Sequence, residues 1–213
     1  MRGRRIVISL GLALVLSGGS ILGHDLYLGA KAVVARVLIR QAFARHLADG
    51  DLHPPWSWAD MAPVARLEFP DSDIRRYVLT GATGESLAFD VGHIHGTAYP
   101  NRTGNCVLTG HRDGRFAFLK ALKPGDPVVV RSFGCTRRYR VDSTSVVSAG
   151  DTAVLENDGD RLTLVTCWPF DGRTRSHLRY VVSCRPVDGI RYAHENDRRS
   201  TADLVSVVAG GGG

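Results

Sequence analysis

Cys167 closes an alternating apolar segment that begins at Arg161 and reads RLTLVTC. Trp168 and Pro169 follow it and direct the chain into a loop, so the thiol stands at the end of a predicted strand. A thiol there can reach a substrate backbone, whereas a cysteine inside a strand usually behaves as a small buried hydrophobic residue. The residue type alone leaves both interpretations open.

His111 follows a second apolar segment, NCVLTG, which begins at Asn105, and a polar turn comes directly after it. Thiolate chemistry needs a neighbour that accepts and releases a proton near neutral pH, and imidazole does both. A single histidine in a turn is most often an ordinary surface residue. His111 therefore becomes a catalytic candidate only in combination with Cys167.

Arg179 opens the apolar segment after Cys167, twelve residues further along the chain. Attack of a thiolate on a carbonyl creates an oxyanion, which a donor already in place must stabilise. A guanidinium suits this because it stays charged and holds its donors in a rigid fork. The alternative is an ordinary arginine on an edge strand.

These three residues need strands to position them, and the pattern from Val64 onward predicts many short ones separated by Gly, Pro, Asn and Asp. Seven or eight short strands within about 130 residues predict a mainly β domain, closed as a barrel or packed as a sandwich. One short helix is expected, Arg115 to Leu122, before Pro124. The predicted strands are Ala65 to Phe69, Ile74 to Leu79, Cys106 to Gly110, Pro127 to Arg131, Arg138 to Ser145, Arg161 to Cys167 and Arg179 to Ser183.

The amino-terminal residues predict that the protein is attached to a membrane. Residues 6–23 carry no charge and directly follow Arg2, Arg4 and Arg5. About twenty apolar residues span a bilayer as a helix, and flanking arginines mark the cytoplasmic side. We expect residues 1–5 as a cytoplasmic tip and 6–23 as an uncleaved anchor, although a cleaved signal peptide has similar parts.

The segment from Ala30 to Ala48 has helical spacing of its apolar residues and contains neither Gly nor Pro. It predicts a helix that lies on anionic lipid, or that packs on the domain or forms a stalk. Asp49 to Pro55 ends it, and residues 24–55 are assigned to this helix and linker. Trp56 and Trp58 follow, either at the membrane interface or, as we prefer, as a plug for the bottom of the domain.

The charge distribution argues against nucleic acid as a partner. The first 50 residues hold seven Lys or Arg and two Asp or Glu, whereas the rest of the chain holds 20 and 19. A duplex binder needs several cations converging on phosphates, and a nearly neutral domain lacks that excess.

Four cysteines in an exported protein ordinarily suggest two disulfides. Their spacing matches no zinc ribbon or paired CxxC motif, which argues against a structural zinc site. Cys167 has a neighbourhood unlike that of Cys106, Cys135 and Cys184, which weakens the pairing argument.

Two segments, GHRDGRFAFLKALKPGD and LTLVTCWPFDGRTRSHLRYVV, together resemble the sortases, which are membrane-anchored cysteine transpeptidases. They are most similar to class GN, the sortases of Gram-negative bacteria. The resemblance extends over about residues 56 to 185, through WADMAPVARLEFP and the stretch ending in GNCVLTGHRD. It implies an eight-stranded sortase β-barrel, which we assign to residues 56–190, with 191–213 as a tail and 206–213 as its flexible end.

The resemblance also implies roles for matching positions. His111 corresponds to the family's histidine, Cys167 to its nucleophile and Arg179 to its arginine. Arg173 and Arg175 are rivals for the last role, but Arg179 begins the following strand, as the family pattern requires. The loop from Asp171 to His177 is expected to flank the substrate groove.

Two questions remain open in the sequence. His93 and His95 alternate and could form a metal site with His111, although His93 falls in a Gly-His stretch common in the family and no fourth ligand is evident. Cys106 and Cys184 could form a disulfide while Cys135 stays free.

The implied substrate is an exported protein with an LPxTG-like sorting signal, transferred through a thioester to an amine acceptor of unknown identity. This chemistry requires no metal or organic cofactor. The expected location is the inner membrane, by a single helix, with the catalytic domain facing the periplasm. The alternatives are an L,D-transpeptidase, which should carry Ser-His-Gly before its cysteine, and a tethered β-domain that binds a peptide or protein without catalysis.

Overall fold

The structure, a computed structural model, describes residues 2–100, 102–171, 174, 176–187 and 191–192. In its first helix, residues 2, 4–10, 12–16, 21, 22, 25 and 28 are described by their backbone alone. The predicted flexible end, 206–213, lies outside the described residues. The chain divides into two compact units, Met1–Leu38 and Ile39–Gly213.

The first unit is the amino-terminal part of helix α1, which spans Arg2–Asp49. The sequence predicts an anchor at 6–23 and a separate helix from Ala30, but one helix covers both, since no proline interrupts it and its glycines lower helix propensity without forbidding it. Among the described residues, no helix has both the length and the apolar character needed to cross a bilayer. Most side chains of the predicted anchor lie outside the described ones.

The last part of α1, residues 39–49, belongs to the second unit and packs against the β-strands and loops of that unit. Ile39 joins a buried cluster with Met61 and Leu79, and the ring of Phe43 meets that of Tyr77 edge-on at 5.4 Å between centroids. The helix ends at Asp49, and Gly50 follows with φ +84°, a conformation that glycine adopts readily. Of the two roles open for this segment, packing on the domain is therefore the one observed for residues 39–49.

The two tryptophans after α1 have different environments. Trp56 lies against Phe89 with ring centroids 5.0 Å apart, whereas Trp58 is 79% exposed. The predicted plug is thus confirmed for Trp56 and wrong for Trp58, because the turn at residues 57–58 directs the second indole outward.

Within the described residues of the second unit, nine strands form one sheet. They are β1 (Pro63–Phe69), β2 (Ile74–Leu79), β3 (Val91–His93), β4 (Asn105–Thr109), β5 (Pro127–Ser132), β6 (Cys135–Ser148), β7 (Arg161–Trp168), β8 (Leu178–Pro186) and β9 (Arg191–Tyr192). Helix α2 (Gly84–Phe89) precedes β3, and short 3₁₀ helices span Pro70–Ser72, Ala117–Ala121 and Thr152–Leu155.

The strand order is β5-β1-β2-β3-β4-β7-β8-β6-β9, and β5 also pairs with β6. That second pairing closes β1 to β8 into a barrel, which removes the free edges of the sheet. Strand β6 makes closure possible because its first half pairs with β5 and its second half with β8, across a register shift between Val141 and Ser143. The predicted closed eight-stranded barrel is confirmed.

Some short elements differ from the sequence predictions. Strand β3 and helix α2 are too short to show a periodic pattern, and neither is predicted. The expected helix from Arg115 to Leu122 is a 3₁₀ helix at Ala117–Ala121. The predicted tail begins at 191, but Arg191–Tyr192 form β9 by pairing with Cys135 and Thr136 of β6.

The barrel interior is filled by alternate residues of the strands, including Leu67, Val78, Leu108, Leu164 and Val182. A buried arginine also takes part in an ion pair with a partly exposed aspartate. Arg137, 1% exposed, donates from Nη2 to Asp160 and from Nη1 to the carbonyl of Arg102, both at 2.6 Å. These bonds tie β6 to the segments that precede β4 and β7, the two strands that end at the candidate site.

Candidate active site

Cys167 lies at the exit of β7, a central strand between β4 and β8. The preceding residues alternate between the barrel interior, as Leu164 does, and the outer face, as Val165 does. Cys167 is two residues after Val165 and so shares the outer face, where it is partly exposed. The apolar alternation therefore delivers the thiol to the surface at the point where the strand stops.

Arg179 stands directly across from Cys167 in the antiparallel pair β7–β8. Opposite residues on one face of such a pair have Cβ atoms about 5 Å apart, within reach of a guanidinium. Arg179 is partly exposed, and its Nη1 donates to the carbonyl of Leu178 at 3.0 Å. Cys167 and Arg179, twelve residues apart in the sequence, therefore lie side by side on neighbouring strands.

His111 reaches the same place from β4, which runs parallel to β7 with Thr109 beside Val165. Two bonds continue the ladder past the end of β4. The amide of Gly110 donates to the carbonyl of Val165 at 3.3 Å, and the Thr166 hydroxyl donates to the carbonyl of Gly110 at 2.7 Å. The next residue along each strand is His111 on one side and Cys167 on the other.

The turn that carries His111 is closely packed from below. A Cβ at Gly110 would lie 3.0 Å from the ring of Phe116, closer than side chains normally approach. The carbonyl of His111 accepts from the amides of Gly114 and Phe116 at 3.2 and 3.0 Å. Phe116 is fully buried, so the core itself holds this turn and leaves the imidazole exposed.

A second connection joins the two strand exits. Arg112, the residue after His111, donates from Nη1 to the carbonyl of Pro169 at 2.6 Å. Pro169 is two residues after Cys167, so this bond spans the turn of the histidine and the loop of the cysteine.

Aromatic side chains support the loop after Cys167 on the opposite face. Trp168 and Tyr180 stack with centroids 5.6 Å apart, and Phe170 meets Tyr180 at 5.1 Å. Phe170 and Tyr180 also pack against the main core. The exit of β7 is therefore anchored by ring contacts beneath the thiol.

The outer face next to the cysteine is apolar. Val107, Val165 and Val181 are buried there, each two residues before or after a strand-end residue. Partly buried side chains pack against them from the surrounding loops, namely Ile94, Val147, Val154 and Leu155. The Cys167–Arg179 pair therefore adjoins a second buried apolar cluster on the outer face of the sheet.

The other three cysteines are in different surroundings, all buried in the barrel wall. Burial raises the pKa of Cys106 and of Cys184 to about 12, and raises that of Cys135, which keeps these thiols neutral. All four cysteines are free.

The Cys106–Cys184 bridge, left open by the sequence, does not form because β7 separates the two residues. Leu162 pairs with both of them, so two strand spacings, roughly 10 Å, lie between their backbones. A disulfide needs less than about 7 Å.

A sortase-domain family model matches residues 67–187, more than half of the chain. The chain belongs to the sortase family. It is 31% identical over 119 residues to Sortase D of Bacillus subtilis (strain 168), and the match covers 54% of this chain and 60% of that protein. The chain thus spans less than two thirds of the length of this curated relative.

Solved sortase structures have the same fold. Sortase A from Corynebacterium diphtheriae matches with a TM-score of 0.56 and 31% identity, over 62% of this chain and 63% of that one. Sortase E1 from Streptomyces coelicolor, solved with a tripeptide in its active site, matches with a TM-score of 0.54 and 27% identity, over 62% and 92%. The resemblance to sortases is confirmed, and it favours the sortase interpretation over an L,D-transpeptidase.

The possible histidine metal site of this sortase is not assembled. His93 is buried and its Nε2 lies 3.0 Å from the carbonyl of Ala98 and 3.2 Å from the Thr97 hydroxyl. Burial also lowers the pKa of His93. Within the part of the chain that the structure describes, no group of three or more His, Cys, Asp or Glu side chains is placed to hold a metal ion.

Sequence reasoning named Cys167 and Arg179, which pair across β7 and β8, and His111 at the exit of β4, but it missed other residues at the same strand ends. Thr166 and Arg112 are neighbours of Cys167 and His111 in the chain, and each binds a backbone carbonyl of the opposite strand exit. The only feature of the sequence that could have pointed to Thr166 and Arg112 is their position next to Cys167 and His111. Arg173 and Arg175, the rivals of Arg179, lie outside the described residues, as does part of the predicted groove loop from Asp171 to His177.

Proposed function

We propose that this protein is a membrane-anchored cysteine transpeptidase that cleaves an LPxTG-like sorting signal of an exported protein and transfers it to an amine. The observation that carries the proposal is the direct pairing of Cys167 with Arg179 across β7 and β8, with His111 at the exit of β4, the strand that runs parallel to β7. Membership of the sortase family, a family of transpeptidases, supports it.

The proposed first step is acylation. The Cys167 thiolate attacks the carbonyl of the Thr in the sorting signal, and the Arg179 guanidinium stabilises the oxyanion that forms. His111 then protonates the departing amine, so the peptide bond breaks and a thioester with Cys167 remains. The electrons of the carbonyl return when the C–N bond breaks, and no cofactor takes part.

The second step is transfer. An incoming amine loses its proton to His111 and attacks the thioester, which releases the Cys167 thiolate and forms a new amide. Histidine suits both steps because the imidazolium, which holds the proton of the Cys167 thiol, gives it up in the first step and the neutral imidazole accepts one in the second. The same three residues therefore serve the whole cycle.

The apolar outer face supports a peptide substrate. The partly buried side chains that cover Val107, Val165 and Val181 are apolar as well, and the apolar residues of an LPxTG-like signal would pack against these outer side chains. The threonine carbonyl would then lie at Cys167. Sortase E1 from Streptomyces coelicolor, a similar structure, holds a tripeptide in its active site, which supports a peptide as the substrate class.

The anchor is a separate part of the proposal. It rests on the uncharged residues 6–23 directly after three arginines, which favour a single span with the domain in the periplasm. The similarity of the two motif segments to class GN supports assignment to the sortases of Gram-negative bacteria, whose inner membrane would hold the helix.

Reporter fusions test the anchor. A reporter active only in the periplasm, fused after residue 213, should be active, and one active only in the cytoplasm should be silent. The reverse result would overturn the topology. A soluble mature form beginning near residue 21 would replace the anchor with a cleaved signal peptide.

Acylation is the decisive experiment. The full chain in detergent, incubated with an LPxTG-type peptide, should form an adduct at Cys167 with the mass of a peptide cleaved after Thr. Hydroxylamine, which attacks thioesters, should remove it. Cys167→Ala should abolish the adduct and His111→Ala should slow its formation severely.

Cys135→Ala is the matched control, because Cys135 is a buried cysteine away from the site. It should keep the adduct, as should Cys106→Ala and Cys184→Ala. If no peptide of a broad sorting-signal library acylates the protein while Cys167→Ala binds a partner as tightly as the parent, the non-catalytic binding domain is the better interpretation.

A further inference from the structure

The side chain of Arg112 connects the exits of β4 and β7 at the candidate site. Its Nη1 donates to the carbonyl of Pro169 at 2.6 Å, across 57 positions of sequence. The side chain is half-buried, and its partner lies in the loop that leaves Cys167. A guanidinium bond to a carbonyl is charge-assisted and therefore stronger than a neutral hydrogen bond.

We propose that Arg112 is a positioning residue that holds the loop after Cys167 against the turn of His111 and so keeps the thiol and the imidazole together. The inference rests on the proposed acylation reaction for its consequence in catalysis. Arg112 acts through Cys167 and His111 and does not touch the reacting atoms.

Two cross-links join the exits of β4 and β7 in sequence order. Thr166 is bonded to Gly110, and Pro169 is bonded to Arg112. His111 lies between these two cross-links at the exit of β4, and Cys167 lies between them at the exit of β7. The ladder of β4 and β7 itself ends at Thr109 and Val165. Among the described residues, Arg112 thus makes the cross-link between the two exits on the far side of the catalytic pair.

The turn of His111 has no regular strand partner to hold it at this point. Phe116 supports the backbone of the turn, and the His111 carbonyl accepts from the amides of Gly114 and Phe116, but the His111 side chain itself is exposed. Without Arg112, the loop after Cys167 would keep its ring contacts beneath but lose its tie to the histidine. A misplacement of about 1 Å costs roughly a hundredfold in rate.

A different role for Arg112 is to donate to the oxyanion directly. Arg179 is the better candidate for that role, since it faces Cys167 across the strand pair while Nη1 of Arg112 is already bonded to Pro169. The two roles predict different results with a small reagent. Alkylation of a thiol by iodoacetamide needs the thiolate but creates no oxyanion on a carbonyl and involves no peptide.

The experiment uses the full chain in detergent and compares Arg112→Gln and Arg112→Lys with the parent. Arg140→Gln is the matched control, because Nη1 of Arg140 also donates to a loop carbonyl, that of Gly125, at 2.8 Å. Three quantities are measured: kcat and KM for an LPxTG-type peptide, the rate of Cys167 alkylation at neutral pH, and the melting temperature. Alkylation reports on Cys167 because the other cysteines are buried.

Arg112→Gln should lower kcat roughly 10- to 100-fold with KM nearly unchanged, and should slow alkylation, because the imidazole no longer takes up the thiol proton efficiently. Arg112→Lys should recover most of both losses, since one donor suffices to reach one carbonyl. Arg140→Gln should match the parent in all three measurements.

Several results would overturn the proposal. Lost peptide turnover with unchanged alkylation would place Arg112 in contact with the substrate or oxyanion. A lower melting temperature with alkylation of the buried cysteines would show a purely structural role, and so would an equal loss in Arg140→Gln. If the parent fails to turn over any peptide, the proposed function fails, but the alkylation rates still decide whether Arg112 holds His111 beside Cys167.

Discussion

Cys167 differs from the other cysteines of the chain by its position in the sheet. Cys106 and Cys184 face the core of the barrel, where burial keeps them protonated, while Cys167 lies on the outer face at the end of β7. The same strand pairing sets Arg179 beside it. At this scale, chemistry depends on which face a side chain occupies and on where its strand ends.

Arg179→Lys should keep the charge but lose about a hundredfold to a thousandfold in acylation rate. A point ammonium cannot replace a fork that serves both an oxyanion and a peptide carbonyl. The rate of adduct formation with an LPxTG-type peptide measures the loss.

Arg185→Lys is the control for this change, because Arg185 lies on the same strand and is paired only with Asp142 at 3.3 Å on an exposed surface. It should acylate like the parent. Normal acylation in Arg179→Lys, together with a loss in Arg173→Lys or Arg175→Lys, would move the role into the loop.

The parallel pair β4–β7 is the element on which the site depends. Its far end is held by Asn105, a fully buried residue whose side-chain amide donates to the carbonyls of Val154 and Glu156, both at 2.9 Å. Its Oδ1 accepts from the hydroxyl of Thr163 on β7 at 2.7 Å. These bonds set the register that carries His111 and Cys167 to the same edge, because a slip by one residue would turn either side chain to the other face.

Asn105→Ala should lower the free energy of unfolding by about 3 kcal/mol, since it removes the partners of the Val154 carbonyl and the Thr163 hydroxyl and one of the two donors to the Glu156 carbonyl, which Arg161 also bonds. Urea denaturation measures this. Thr144→Ala, at an exposed position of β6, serves as the control and should change stability by less than about 0.5 kcal/mol. A comparable loss in both variants would mean that Asn105 has no special part in the strand pair.

The whole domain has a built-in dependence on pH through Asp90. Burial raises the pKa of Asp90 from 3.8 to about 6, an effect that the amide of Tyr77 and the charges of Arg115 and Arg76 only partly oppose. The Tyr77 amide donates to Oδ2 at 3.1 Å, while Oδ1 is buried without a hydrogen-bond partner. The folded state therefore binds a proton more tightly than the unfolded chain does.

Stability should fall as the pH rises from about 4 to about 6, because the folded domain must release that proton and bury a charge. Asp90 contributes about 3 kcal/mol to this change in stability. Asp90→Asn should remove this part of the slope in urea denaturation measured across the range, whereas exposed Asp71→Asn should retain it. An unchanged slope in Asp90→Asn would assign the dependence to other groups.

The barrel itself was predictable because its strands alternate. Strand β2 has the predicted bounds, and β1, β4, β5, β7 and β8 differ by at most a few residues at their ends. Strand β3 and helix α2 were missed, since three and six residues are too few to establish a period. The core and the class of fold follow from local patterns that many residues share.

The amino-acid sequence by itself determined the residue types of the site and the places where they occur, since a thiol, an imidazole and a guanidinium each stand at the end of an apolar run. Only the tertiary structure decided that β4 lies parallel to β7, that Arg179 faces Cys167, and that Arg112 and Asn105 bind across the strands. The reason is physical. Alternation depends on neighbours along the chain, whereas strand partners and register depend on packing between segments that are twelve to more than fifty residues apart, which no local pattern encodes.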